Sequence, residues 1–182
     1  MAQTWRSRRP DKEARPRPLD PAALDRLALR YVERYATTRA KLAGYLKRKL
    51  KERGWAGDDP PPIDALVERF SDLRYVDDAS FAVARAASLA RRGYGPRRIA
   101  ASLKAAGIDA ADSEDAETAA RAEAWDAALA FARRKRIGPF AAAEPDRAGR
   151  EKAFAALLRA GHDVATAQRI VQCAPGSVPQ SD

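Results

Sequence analysis

Cysteine and histidine are nearly missing from this chain: Cys173 and His162 are the only ones. A single cysteine excludes an internal disulfide and any cysteine-based zinc site. A single histidine leaves no nucleophile–histidine constellation to assemble. A phosphate-cradling loop is also missing. The one glycine-flanked segment, Arg92-Gly93-Tyr94-Gly95-Pro96, has neither the spacing nor the lysine–serine ending. No run approaches the roughly 18 apolar residues of a membrane span, and no signal-length apolar stretch follows the basic N-terminus. These absences predict a cytoplasmic protein with no metal, no cofactor, no membrane association and no catalytic activity of its own.

Large apolar residues are scarce as well. Leu, Ile, Val and Phe total 31 of 182 residues, while the formal net charge is +9. That combination borders on disorder. The periodicity of the apolar positions argues for folding through the body of the chain, around a thin, alanine-rich core. Residues 1–20 are read differently. Arg6, Arg8, Arg9, Lys12, Arg15 and Arg17 stand there with three prolines, the composition of a disordered basic arm. Residues 175–182 read as a flexible tail. The excess of cations favours a polyanionic partner, nucleic acid or an acidic protein surface.

The body repeats itself. Leu46, Leu50, Gly54, Trp55 is followed by Ile99, Leu103, Gly107, Ile108 and then by Ala153, Leu157, Gly161, His162. A four-residue apolar step is one helix face, and a glycine after it is a common helix stop. The pattern predicts an all-α fold, an elongated array of three tandem three-helix repeats over 21–72, 73–118 and 119–174. Stacked helical units build extended surfaces instead of enclosing a pocket.

Local signals place most of the helices. Asp20 caps a helix opening at Pro21, with Leu24, Leu27, Ala28, Tyr31, Val32 and Tyr35 on one stripe. Thr37 or Thr38 caps the second, with Leu42, Tyr45, Leu46 and Leu50 inward. A third carries Ile63, Leu66, Val67 and Phe70. Asp77 or Asp78 caps a fourth helix with Phe81, Ala84, Ser88 and Leu89 on its face. Pro96 opens the fifth, and Asp112 or Ser113 is expected to cap the next. The stretch to Arg136 has neither proline nor glycine and reads equally as one long helix or two. A final helix carries Val164, Ala167, Ile170 and Val171.

Basic clusters recur near equivalent junctions: Arg39, Lys41, Lys47, Arg48 and Lys51; Arg91, Arg92, Arg97 and Arg98; Arg133, Arg134, Lys135 and Arg136. Each has a plain structural reading, as a solvated face or as cations at a helix C-terminus. Their recurrence supports a binding track that stacking would align, suited to a phosphate backbone or a helical protein groove. The acids between Asp109 and Glu117, like Asp77 and Asp78, read as caps and first-turn residues rather than a metal site. His162 occupies the position of Trp55 and Ile108 and reads as a packing residue.

These residues resemble the RecX family of regulatory proteins. Tyr75-Val76-Asp77-Asp78-Ala79-Ser80-Phe81-Ala82 is similar to its two-aspartate, Phe-Ala signature, and Gly95-Pro96-Arg97-Arg98-Ile99 with Leu103 and Ala106-Gly107-Ile108 to the segment that follows. The similarity runs from about residue 22 to 172, with His162 where the family usually has an aromatic residue. The resemblance implies a non-enzymatic regulator of recombination and DNA repair, and the chain is expected to be a monomer. It implies binding to the RecA recombinase and its nucleoprotein filament, and inhibition of filament growth, ATP hydrolysis and strand exchange. Direct DNA binding by many members goes with it, and the basic array separately predicts that such binding is weak and sequence-independent. The alternative reading is a helical nucleic-acid-binding module without a recombinase partner.

Overall fold

The computed structural model describes residues 17–178. The described residues form α1 (Pro21–Arg34), α2 (Arg39–Arg53), α3 (Ile63–Asp72), α4 (Asp78–Arg91), α5 (Pro96–Ala105), α6 (Ala110–Ala122), α7 (Ala124–Lys135), α8 (Arg147–Arg159) and α9 (Val164–Gln172). A short 3-10 turn, Gly138–Phe140, lies between α7 and α8. Capping explains most of the starts. The carboxylates of Asp20, Asp77, Asp109, Asp146 and Asp163, and the hydroxyl of Thr38, each accept a first-turn backbone N–H. The cap of α6 is therefore Asp109, not Asp112 or Ser113. The repeated glycines Gly54, Gly107 and Gly161 have φ of 82°, 74° and 95°, the left-handed region in which a side chain is strained.

The helices sort into three units, each with its own core. α1–α3 enclose Leu24, Ala28, Leu42, Leu46, Leu66 and Phe70. α4–α6 share a finer-grained core around Ile99 and Leu103, where Ala82, Ala86 and Ala90 meet Ala116 and Ala120. α7–α9 enclose Ala128, Phe131, Leu157, Ala167 and Ile170. A core of so many alanines lets helix axes approach closely, and this is how a chain poor in large apolar residues stays packed.

Several boundaries and faces differ from the sequence reading. Leu19, assigned to the basic arm, is fully buried, and its backbone bonds to both sides of Trp55: its N–H donates to Gly54 O and its carbonyl accepts from Ala56 N, each at 2.9 Å. The rest of the arm, residues 1–16, lies outside the described residues. The stretch 113–136 is two helices, broken at Glu123, where ψ is 8°. α6 continues to Ala122, so the second unit ends there and not at 118. The buried face of α4 is Ala82, Ala86, Leu89 and Ala90, while Ala84 is exposed. Tyr35 and Val164, both read as inward, are 49% and 45% exposed. Each stands at a helix terminus, where the backbone departs from the wheel that an uninterrupted helix would follow. In the tail, residues 179–182 lie outside the described residues, and Gly176 N donates to Pro139 O at 2.9 Å.

The two junctions between units are chemically different. Unit 1 meets unit 2 through polar groups. Thr38 Oγ1 donates to Ala106 O at 2.7 Å, and the chain at Gly107 passes so close to Ala40 that a Cβ there would run into it. Arg39 reaches three carboxylates. Asp78 accepts from its backbone N–H at 2.9 Å and its Nε at 3.2 Å, and Asp109 and Asp112 lie against Nη2. Unit 2 meets unit 3 through backbone: Gly95 N donates to Ala160 O at 2.9 Å and Arg97 N to Gly161 O at 3.1 Å.

Candidate interaction surface

The turn between α4 and α5 organises the basic residues. α4 ends at Arg91 with Arg92 as its cap, and Gly93 turns the chain at φ 76°. A Cβ on Gly93 would stand 2.7 Å from the backbone nitrogen of Phe131, so the turn lies directly on α7. His162 seals the other side. It is 1% exposed, and its Nε2 is 3.1 Å from Gly93 O. Burial holds the imidazole below its ordinary pKa, so it is neutral and donates to that carbonyl.

Fixed in this way, the turn presents Tyr94 among cations. The guanidinium carbons of Arg92, Arg98 and Arg134 lie 5.3, 5.9 and 5.9 Å from the Tyr94 ring centroid. Arg134 also donates to the carbonyl of Arg92, tying α7 to the turn. The ring therefore gathers charge from α4, α5 and α7, which belong to two different units. Beside it is a cleft of about 360 Å³ lined by Arg85, Leu89, Arg92, Tyr94, Arg98 and Ser102. Arg85 Nε donates to Ser102 Oγ at 3.1 Å. The sequence reading missed both Tyr94 and Arg85. For Tyr94 the signal was its place between two glycines inside an arginine cluster. Arg85 stands alone on α4, and only folding brings it to the group.

The positive field continues towards unit 1. Lys41 on α2 lies with Nζ 4.4 Å from the Phe81 ring centroid. Burial, and then the nearby charge of Arg85, draw its pKa below the ordinary lysine value. Lys41, Arg85, Arg92, Arg98 and Arg134 thus form a chain of cations from the first unit to the third. Among the described residues, no carboxylate lies within ion-pair distance of Arg85, Arg92, Arg98 or Arg134. Unneutralised cations held by aromatic rings retain their attraction for an incoming anion.

The other expected binding residues fall into two groups. Lys47, Arg48, Lys51, Arg91, Arg97, Arg133, Lys135 and Arg136 are exposed. Arg133 lies 4.9 Å from the Phe140 ring centroid, and Arg136 ends α7 in the left-handed region at φ 54°. Arg39 is turned inward to its three carboxylates and joins units. Its partner Asp78 is buried, so this second signature aspartate is more than a first-turn acid. The neighbouring Asp77 is the cap, its carboxylate lowered in pKa by the Ser80 N–H. The remaining motif residues are structural. Ala82, Ile99 and Leu103 are core, Phe81 supports Lys41, and Gly107 makes the turn against α2.

Together these features define a helical-repeat protein with a cationic surface crossing its units. Residues 77–116 match the family model for RecX, second three-helix domain. The chain is 31% identical over 179 residues to "Regulatory protein RecX" of Myxococcus xanthus, a match covering 91% of this chain and 96% of the relative. The chain belongs to the RecX family. It is also 36% identical over 121 residues to "Regulatory protein RecX" of Xanthomonas campestris pv. campestris, covering 65% of this chain and 69% of that one. The crystal structure of RecX from Lactobacillus salivarius shares the fold at a TM-score of 0.60 and 22% identity, over 84% of this chain and 94% of that one. A crystal structure of regulatory protein RecX superposes at 0.62, also at 22% identity, over 82% of this chain and 72% of that one. No described helix is long and apolar enough to cross a membrane.

Proposed function

We propose that this chain binds a RecA recombinase and its filament on DNA, and restrains filament growth, ATP hydrolysis and strand exchange without catalysis of its own. Family membership supports the partner. The observation that carries the mode of binding is the run of cations from Lys41 through Arg85, Arg92 and Arg98 to Arg134. It crosses all three units and so suits a long anionic path better than a small ligand. Electrostatic complementarity of this kind governs encounter and register. The test is DNA-stimulated ATP hydrolysis by RecA with added parent protein and with the triple variant Arg92→Glu, Arg98→Glu, Arg134→Glu. The parent is expected to inhibit and the triple variant to inhibit weakly, because attraction to phosphate or acidic protein becomes repulsion. An ATPase indifferent to the parent protein, together with direct duplex binding, selects instead a nucleic-acid-binding module without a recombinase partner.

A further inference from the structure

Between α1 and α2 of unit 1 lies a second aromatic–cationic surface that shares no residue with the Tyr94 cleft. Tyr31 and Tyr45 are stacked with centroids 4.2 Å apart and planes 15° from parallel, and both rest partly on the unit 1 core. Tyr35 extends this pair. Its ring is 5.3 Å from Tyr31 and tilted by 51°, yet the residue is 49% exposed and is not among those packed on the core. An open cleft of about 950 Å³ runs beside the three rings. Cations border it. Arg34 lies 5.4 Å from the Tyr35 centroid, and Arg48 and Lys49 lie 5.7 and 5.9 Å from that of Tyr45. Lys49 is paired with Glu52, whereas Arg30, Arg34 and Arg48 have no carboxylate of the described residues within ion-pair distance. Glu33 is the one acid lining the cleft.

A tyrosine at the end of a half-buried stack, itself half in solvent with Arg34 against its ring, does little for the core. The arrangement suits a stacking platform: an exposed aromatic ring for a base, with cations lining the same cleft for the phosphates. We infer that the Tyr31–Tyr35–Tyr45 cleft of unit 1 binds single-stranded nucleic acid, with an unpaired base stacked on Tyr35 and the strand's phosphates held by Arg30, Arg34 and Arg48. A duplex keeps its bases in its own stack and offers this cleft only phosphates, so the site selects single strands.

The test uses the full chain and three dye-labelled probes: an oligothymidylate, an abasic strand of equal length and a duplex. The parent binds oligothymidylate more tightly than either other probe. Tyr35→Ala weakens oligothymidylate binding about tenfold and leaves abasic-strand binding unchanged, the scale of losing one stacked base. Tyr35→Phe binds like the parent. The triple variant Arg30→Glu, Arg34→Glu, Arg48→Glu weakens binding to all three probes. On the unmodified protein, a strand carrying 5-iodouridine photocrosslinks to the segment holding Tyr35. Equal parent affinity for abasic and thymidylate strands overturns the proposal. So does parent-like binding by Tyr35→Ala, or crosslinks confined to units 2 and 3. Inhibition of recombinase ATPase is read separately, and its presence or absence does not bear on this site.

Discussion

His162 is a neutral imidazole enclosed between two units, with Nε2 on Gly93 O and Nδ1 buried without a partner. Protonation would place an N–H and a charge where no acceptor waits. Its folded pKa lies below the ordinary 6.5, so between those two values the unfolded chain holds a proton that the folded chain does not. Stability is therefore complete above about pH 6.5 and declines as pH falls towards the folded value, by at most about 1.4 kcal/mol per unit. Thermal unfolding measured from pH 7.5 to 5.5, where most carboxylates remain charged, is expected to show a falling melting temperature, and His162→Phe to flatten that slope. Asp78 is a second residue with a definite energetic role. Its side chain is 2% exposed and that of its partner Arg39 is 35% exposed, so Asp78→Ala is expected to cost about 1–3 kcal/mol, less than a fully buried pair. Denaturant titration measures it. A loss under about 0.5 kcal/mol would mean that Asp109 and Asp112 already satisfy Arg39.

The elements were legible where the local chemistry is self-sufficient. Asp20 before Pro21, the pair Thr37–Thr38 before α2 and the pair Asp77–Asp78 before α4 each announce a start, because a cap acts within its own first turn, and the structure selects Thr38 and Asp77. The break at Glu123 had no such marker. Neither proline nor glycine stands there, and the chain bends because α6 packs in unit 2 while α7 packs in unit 3. The α4–α5 turn is the element on which the surface depends. Gly93→Ala forces a Cβ into the left-handed region and onto the backbone of Phe131. A loss on the order of 2–4 kcal/mol is expected, from strain and displaced packing together. Amide exchange should localise the loss to the contact of α7 with the turn, and uniform protection there would contradict this role. On α2 the contrast lies within one helix. Leu46 is buried and Leu46→Ala should cost about 2–5 kcal/mol. Reversing exposed Lys47, Arg48 and Lys51 to glutamate should leave far-ultraviolet dichroism nearly unchanged. Comparing recombinase inhibition by this variant with that by the Arg92, Arg98, Arg134 variant tells whether unit 1 or the Tyr94 group bears the contact.

At the scale of the molecule, the polar junction after unit 1 and the backbone junction after unit 2 respond differently to solvent. Salt screens the Arg39 carboxylate network, whereas amide bonds such as Gly95 N to Ala160 O are largely indifferent to it. Scattering profiles recorded as ionic strength rises are expected to show unit 1 loosening from units 2 and 3. Arg39→Ala should give that looser profile already at low salt, and an unchanged profile in the variant would locate the strength of the junction in Thr38 and the Gly107 turn instead. Binding to nucleic acid should also weaken with salt, log affinity falling roughly linearly with log salt as counterions are released.

The sequence alone determined the helical class, the threefold repetition, most of the helix starts and the family, because each rests on local periodicity, on a cap or on a contiguous motif. It also determined that the surface is basic. Only the tertiary structure decided which cations lie together. Arg39 and Lys41 are two residues apart, yet one is committed to carboxylates of the next unit and the other lies over the Phe81 ring with no carboxylate of the described residues within ion-pair distance. Arg85, Arg98 and Arg134 lie far apart in the chain and come together through the Tyr94 turn. Tyr35 was expected on the apolar stripe, and the end of α1 carries it outward. The reason is the same in each case. Helix periodicity specifies a face, but whether a unit's face meets a neighbour or solvent depends on where the chain turns, and that is set by contacts between residues remote in sequence.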